Sequence, residues 1–289
     1  MKQLLTLLFF LFQLTTLLGQ KLLIPMDITQ ENHLKAYGLT FWALEADIEI
    51  EWLLNYQGGS FLMDYSDKIA RECRIRGVNY LTLDAGSILN IYTEIEANNM
   101  EVILLEKAPK IAVYTPPNKQ PWDDAVTLAL EYAEIPYDKL WDLEVLKGDL
   151  SKYDWLHLHH EDFTGQYGKF YASYHSASWY IRQQLQYEEM AADLGYLSVS
   201  EEKKSVARTI KDYIRNGGFL FAMCSATDSY DIALAAEGVD IVDVPFDMTP
   251  VSPNFNAKLD YSKTLVFKDF TLVTNPSVYE FSDIDAVPG

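Results

Sequence analysis

The chain has 289 residues, 49% of them hydrophobic and 22% charged, so it can bury a core without a disulfide scaffold. Its 23 basic residues stand against 42 acidic ones, a formal net charge of −19 with the histidines neutral. That field excludes nucleic acid and anionic membrane surfaces as favoured partners, and Cys73 and Cys224 are the whole supply of thiols.

Residues 1–19 read as an export signal: a basic start at Lys2, an apolar run over 4–12 extended by Leu14, Leu17 and Leu18, and small Gly19 as the cleavage point. The run is shorter than the roughly 20 residues a bilayer requires. No cysteine follows it, so no lipid attachment point is expected, and neither is stable membrane insertion after signal removal. The expected location is periplasmic or extracellular, and loss of Lys2 with the signal leaves 22 − 42 = −20. Such an oxidising compartment permits a Cys73–Cys224 pair.

From residue 21 short apolar strands alternate with amphipathic helices, the pattern of a layered α/β fold. The spacing predicts a strand over 21–25 and a helix over 33–45 with Leu34, Tyr37, Phe41 and Leu44 on one face. An extended stretch over 48–56, a turn at Gly58-Gly59 and a strand through Phe61 and Met63 follow. Next come a helix over 66–76 stopped by Gly77, a strand over 78–83, a helix over 85–97 and a strand over 102–105. This first α/β unit, 20–108, closes at Lys107-Ala108-Pro109. Its polar cluster Asp27, Gln30, Asn32 and His33 reads as helix capping.

A second unit, 109–245, opens with a buried strand over 110–115, a proline-bounded loop over 116–121 and a helix to residue 133 that Asp123 or Asp124 can cap. Strands over 137–141 and 154–160, an aromatic-rich helical region over 175–194 and a helix over 200–216 follow. After Gly217-Gly218 a strand over 219–223 runs directly into Cys224. Helices of this length between strands imply parallel order, with ligand sites at the carboxyl ends. Residues 246–289 read as an extended C-terminal segment with strand-like stretches over 265–267 and 271–273. It carries no closing helix, and a truncated end is expected.

The run Gly217-Gly-Phe-Leu-Phe-Ala222-Met-Cys224-Ser-Ala226 places a thiol at a strand end, with small residues two positions either side. A nucleophile elbow needs that shape, because a tight strand-to-helix turn has no room for bulky neighbours. The following N–H, that of Ser225, can donate to an oxyanion, and the helix N-terminus favours a thiolate. This order of helix, Gly-Gly, strand and Cys resembles class I glutamine amidotransferases, which usually carry glycine where this chain has Ala222 and Ala226. Over the whole mature chain the runs LIPMDITQENHLKAYGLTFWAL, WLLNYQGGSF, YDWLHLHHEDFTGQYGKFY and GGFLFAMCSATDSYDIALAAEG resemble a family of exported bacterial proteins labelled asparagine synthetase B. The resemblance implies a flavodoxin-like parallel sheet in the second unit and Cys-dependent hydrolysis of an amide such as glutamine. It does not extend to ATP-dependent synthesis: position 2 is Lys, and Gly58-Gly59-Ser60 is only a fragment of the pyrophosphate loop Ser-Gly-Gly-x-Asp-Ser.

Class I amidotransferases place their catalytic His and Glu after the cysteine, yet His33, His157, His159, His160 and His175 all precede Cys224. Either the base lies beyond residue 289, or the His157-Leu-His159-His160-Glu161-Asp162 run supplies it, or the thiol is not catalytic. Strand alternation puts His157, His159 and Glu161 on one face and His160 with Asp162 on the other. The expected catalytic set is therefore Cys224, His160 as base, Glu161 orienting it, and Ser225 in the oxyanion hole. His159, Asp162, Thr164, Gly165, Gln166 and Tyr167 are the expected substrate contacts, the glycine-bearing loop offering backbone donors. Trp122, Tyr171, Tyr174, Trp179 and Tyr180 add aromatic surface. Asp228 and Asp231 read as caps of the helix after the cysteine. No metal and no cofactor are expected, and the partner is a small-molecule amide or a carbohydrate ligand. The competing expectation is a non-catalytic carbohydrate- or peptide-binding module on the same fold.

Overall fold

A computed structural model of the protein describes residues 19–117 and 125–284. The apolar signal run, Trp122, the capping Asp123 and Asp124 and the last five residues lie outside the described residues. The described residues form two compact units, one of residues up to 108 with 125–136 and one of the residues from 109 to 117 with 137–284. The helix over 125–133 groups with the first unit although it follows the first strand of the second.

In the first unit the order is β1 (Lys21–Ile24), α1 (His33–Glu45), β2 (Ile50–Leu54), β3 (Ser60–Asp64), α2 (Asp67–Arg76), β4 (Leu81–Leu83), α3 (Ala85–Ala97) and β5 (Glu101–Leu105). The sheet order is β4-β1-β3-β2-β5, and every neighbouring pair is antiparallel. The cause is the turn after β2. Asn55, Gln57, Gly58 and Gly59 all have positive φ, and a Cβ on Gly58 would come within 2.4 Å of Met26 O. A reversal that tight forces β3 beside β2, so α1 carries the chain across a slot that β3 fills, a split β-α-β arrangement. Alternation of helix and strand therefore does not produce parallel neighbours here.

The ends of these helices follow the side chains. Ser66 accepts the Ile69 N–H at 3.2 Å and Gly77 closes α2 in the left-handed region. Asn32 caps α1 by accepting the Lys35 N–H at 3.1 Å, whereas Gln30 is buried and bridges Pro25 and Asn79. The face of α1 is partly the expected one: Phe41 and Leu44 are buried, but Leu34 and Tyr37 are exposed, and Ala36, Leu39, Thr40 and Ala43 are buried instead. A second helix causes the rotation. α4 (Ala125–Ala133), the crossover between the first two strands of the next sheet, packs on α1 at Gly38, where an added Cβ would lie 1.7 Å from Ala133 O.

The second unit contains β6 (Ile111–Tyr114), β7 (Asp138–Leu140), α5 (Asp142–Leu146), β8 (Trp155–Leu158), α6 (Ser178–Asp193), α7 (Val199–Arg215), β9 (Phe219–Ala222) and α8 (Ala226–Ala235). Its sheet is parallel with order β7-β6-β8-β9, and all four residues of β6 are buried. A strand covered on both faces explains the continuous apolar run Ile-Ala-Val-Tyr. Tyr114, Leu156, Leu158, Phe163, Val206 and Ile210 form the heart of this core.

The C-terminal segment is packed coil. Neither 265–267 nor 271–273 forms a named strand, and the isolated bridge there joins Leu272 to Ser282. Backbone donors that a neighbouring strand would have satisfied go to a carboxylate instead: Asp231 of α8 accepts the N–H groups of Leu265, Val266 and Phe267, each at 2.8 Å. Asp231 is thus an anchor for this segment, not a cap of its own helix. Phe270, Leu272 and Phe281 close over Ile232 and Ala236.

Candidate functional site

β9 ends at Ala222, Met223 N–H still donates to Leu158 O at 3.0 Å, and Cys224 then turns with φ +50 into α8. A non-glycine residue in the left-handed region costs roughly 1–2 kcal/mol, and such strain gathers where function requires it. The turn is clamped from both sides. Thr227 donates its N–H and its hydroxyl to Cys224 O at 3.1 and 2.7 Å, and Ser225 Oγ donates to His160 O at 3.0 Å. Ala226 N–H reaches His159 O at 3.4 Å and Ser229 Oγ reaches Glu161 O at 2.9 Å. The cysteine turn and the histidine run are therefore laced together along the backbone, which requires small residues at 225 and 226. The Ser225 N–H has no hydrogen bond among the described residues.

Cys224 is exposed and Cys73 is buried in the first unit, both as free thiols, so the permitted disulfide is not formed. Burial pushes the Cys73 thiol up to about 12.

The histidine run departs from the expected alternation because β8 ends at Leu158 and the chain turns. His157 remains in the strand, fully buried, with its ring between Phe221 at 5.7 Å and His159 at 6.2 Å. His159 and His160, expected on opposite faces, meet: their Nδ1 atoms are 2.8 Å apart and their ring planes are 70° apart. One of those nitrogens must carry the proton that the other accepts. The buried Glu161 accepts the His159 N–H at 2.8 Å and so fixes the turn that presents both rings.

Most of the expected substrate loop is engaged with itself. Asp162 accepts the Thr164 N–H and hydroxyl at 2.6 Å each and the Gly168 N–H at 2.9 Å. Thr164 Oγ1 accepts from Gln166 Nε2 at 3.1 Å, and Gln166 Oε1 accepts from Lys169 Nζ at 3.3 Å. Lys169 also donates to Val273 O at 2.7 Å and Asn275 O at 3.2 Å, and its burial lowers its pKa to about 8. Gly165 is not a flexible donor: with φ +84, its added Cβ would lie 2.7 Å from Ser200 Cα, so it is pressed against the start of α7. Tyr171, Tyr174, Trp179 and Tyr180 do cluster, with Tyr174 and Trp179 rings 5.1 Å apart and Tyr180 buried.

A cavity of about 50 Å³ opens where β6, β7 and β8 end, lined among others by Pro116, Trp141, His160, Glu161, Tyr167 and Lys203. β6 lies between β7 and β8, so this is the point where the strand order reverses and parallel sheets place ligands. Asp162 and Gly165 also line it, whereas Cys224 does not. Beneath it Lys203 Nζ donates to Asp142 at 2.7 and 2.9 Å and to Tyr114 Oη at 2.9 Å, with its cation 3.8 Å from the Trp141 ring centroid. The Tyr114 hydroxyl also donates to Asp142. Burial, and then the Asp142 charge, push the neighbouring Glu202 well above the usual carboxylate range, and its two carboxyl oxygens are buried without a hydrogen-bond partner among the described residues. Lys203 and Asp142 offset each other's charge.

Two donors on this cavity's wall are unused. Trp141 Nε1 and Tyr167 Oη are buried without a hydrogen-bond partner among the described residues. Each such group costs about 1–3 kcal/mol. Sequence reasoning missed Trp141 and Lys203, though both left a signal. Trp141 directly follows a parallel strand, and Lys203 shares the stripe of Ala207 and Ile210 at spacings of four and seven, where a solvated lysine does not belong.

Among the described residues no group of three His, Cys, Asp or Glu side chains is placed to hold a metal ion, and no helix is long and apolar enough to cross a membrane. No family model, curated protein or solved structure matches this chain.

Proposed function

We propose that the second unit is a flavodoxin-like, glutamine amidotransferase-like domain that hydrolyses a small amide outside the cytoplasm, with Cys224 as nucleophile. The observation that carries this reading is the Cys224 backbone: a non-glycine residue at φ +50 between a strand end and a helix start, with its thiol exposed. Counting from β6, the strand order is 2-1-3-4, the beginning of the doubly wound flavodoxin order. The reading agrees with the resemblance to exported proteins labelled asparagine synthetase B.

In this mechanism His160 takes the thiol proton and the thiolate attacks the amide carbon, whose oxygen becomes an oxyanion facing the Ser225 N–H. Collapse breaks the C–N bond, the leaving nitrogen takes the proton from the imidazolium, and ammonia departs. Water then hydrolyses the thioester with the same histidine as base. The test is ammonia release from glutamine by the intact chain and by Cys224→Ala. The expected loss is about 10³-fold or more. Unchanged hydrolysis in Cys224→Ala sinks the reading. Iodoacetamide should also label Cys224 faster than a free-thiol reference at neutral pH.

One observation favours a second reading. Cys224 does not line the cavity at the switch point, which suits a non-catalytic module that binds a carbohydrate or peptide there. Ligand binding combined with an unreactive Cys224 would select it.

A further inference from the structure

The donors and acceptors around the cavity do not balance. Lys203 spends its hydrogen bonds on Asp142 and Tyr114, and Asp162 accepts three donors of its own loop. Among the described residues the Trp141 indole N–H and the Tyr167 hydroxyl are left over, each on a residue only 6% exposed. An indole N–H can only donate, and burial raises the Tyr167 phenol further, so it too keeps its proton. What fits both is an oxygen acceptor.

Charge narrows the class. The carboxylates of Glu161 and Asp162 line the same cavity, and the one lysine or arginine among the described residues of its wall, Lys203, is already matched by Asp142. Among the described residues an anion would find no free lysine or arginine there, which favours an uncharged acceptor. Aromatic rings make up much of the remaining wall, beside Pro116, Gln183 and Val199: Tyr187 lies 5.7 Å from Trp141 and 6.2 Å from Tyr167, centroid to centroid. At about 50 Å³ the space admits one functional group of a larger ligand, not a whole sugar ring.

We propose that this cavity is a binding site for a neutral oxygen acceptor, a carbonyl or hydroxyl carried on a small ligand, gripped by Trp141 Nε1 and Tyr167 Oη. Neither residue belongs to the thiol chemistry, so the site stands whether or not Cys224 is a nucleophile. It also accounts for donors that the free protein leaves unsatisfied: a site built to receive an acceptor carries that cost until the ligand arrives.

The experiment is calorimetric titration of the full chain with acetamide, as the carbonyl source, and with D-glucose, as the hydroxyl source. It is repeated in Cys224→Ala, so that binding is read without turnover. Tyr167→Phe removes one donor and keeps the ring, whereas Trp141→Phe removes the other donor together with part of the indole that carries Lys203. One of the two probes is expected to bind, and each Phe variant is expected to weaken it about 5- to 10-fold. Tyr167→Phe should melt no lower than the intact chain, because the hydroxyl removed had no partner among the described residues to lose, and Trp141→Phe should melt lower through its lost ring packing. The proposal is overturned if neither probe binds, if both Phe variants bind as tightly as the intact chain, or if Tyr167→Phe melts several degrees lower, which would mean its hydroxyl serves the fold. Binding that persists while Cys224→Ala leaves glutamine hydrolysis unchanged would separate failure of the thiol reading from failure of this one.

Discussion

Replacing Lys203 with methionine keeps most of the aliphatic stem and deletes the cation that neutralises Asp142. Both side chains of this pair are 2% exposed, with N···O at 2.7 Å, so solvent cannot take over the role of the lysine. Removing one partner of such a buried pair typically costs about 3–5 kcal/mol, since the other charge is left uncompensated. The Tyr114 hydroxyl still donates to Asp142, which places the expected loss near the lower figure, about 3 kcal/mol. At about 2–4 °C per kcal/mol for a unit of this size, the melting temperature should fall by about 6–12 °C. Urea unfolding followed by circular dichroism measures the free energy, and a double-mutant cycle with Asp142→Leu isolates the pair. The double variant should recover most of the loss, because an apolar replacement of the whole pair leaves no orphaned charge. A single variant that loses less than about 1 kcal/mol, or a double variant as unstable as the two singles added, would refute the account of a closed, mutually satisfied cluster.

Two further outcomes follow from other buried groups. Lys169 has its pKa lowered by burial to about 8 from 10.5, so between those values the unfolded chain binds more protons and folding stability rises with pH. Compared with Lys169→Met, the intact chain should gain up to about 1.4 kcal/mol per pH unit in that window and nothing below it; a difference that is flat from pH 8 to 10.5 contradicts the lowered value. Asp231→Asn keeps the shape of the anchor but loses the charge that three N–H groups share at 2.8 Å. Limited proteolysis should then cut near residues 265–267 faster, while the melting of the parallel-sheet unit changes by about 2 kcal/mol or less. Equal cleavage rates would show that the apolar packing of Phe270, Leu272 and Phe281 holds the segment by itself.

What was legible from sequence is what short-range chemistry decides. The helix over 33–45 and the helix over 85–97 lie where the spacing predicts, and Ser66 and Gly77 bound α2 through contacts within one turn of chain. The strand running into Cys224 and the small residues around it were equally readable, because a tight turn constrains its immediate neighbours. Pairing was not readable. The split antiparallel sheet depends on the Asn55–Gly59 reversal beating a crossover, and the face of α1 depends on α4 arriving at Gly38 from nearly a hundred residues away.

The candidate site divides along the same line. Period-two alternation holds only while a strand lasts, so ending β8 at Leu158 brought the His159 and His160 rings together, where alternation alone separated them. The loop that looked available for a ligand is consumed by Asp162, and Asp231 reaches a segment more than thirty residues onward. Local sequence determined which side chains sit at the carboxyl ends of the parallel strands. Only the tertiary structure decided which of their donors are already spoken for, because a hydrogen bond between distant segments is set by packing, and packing leaves no period in the chain.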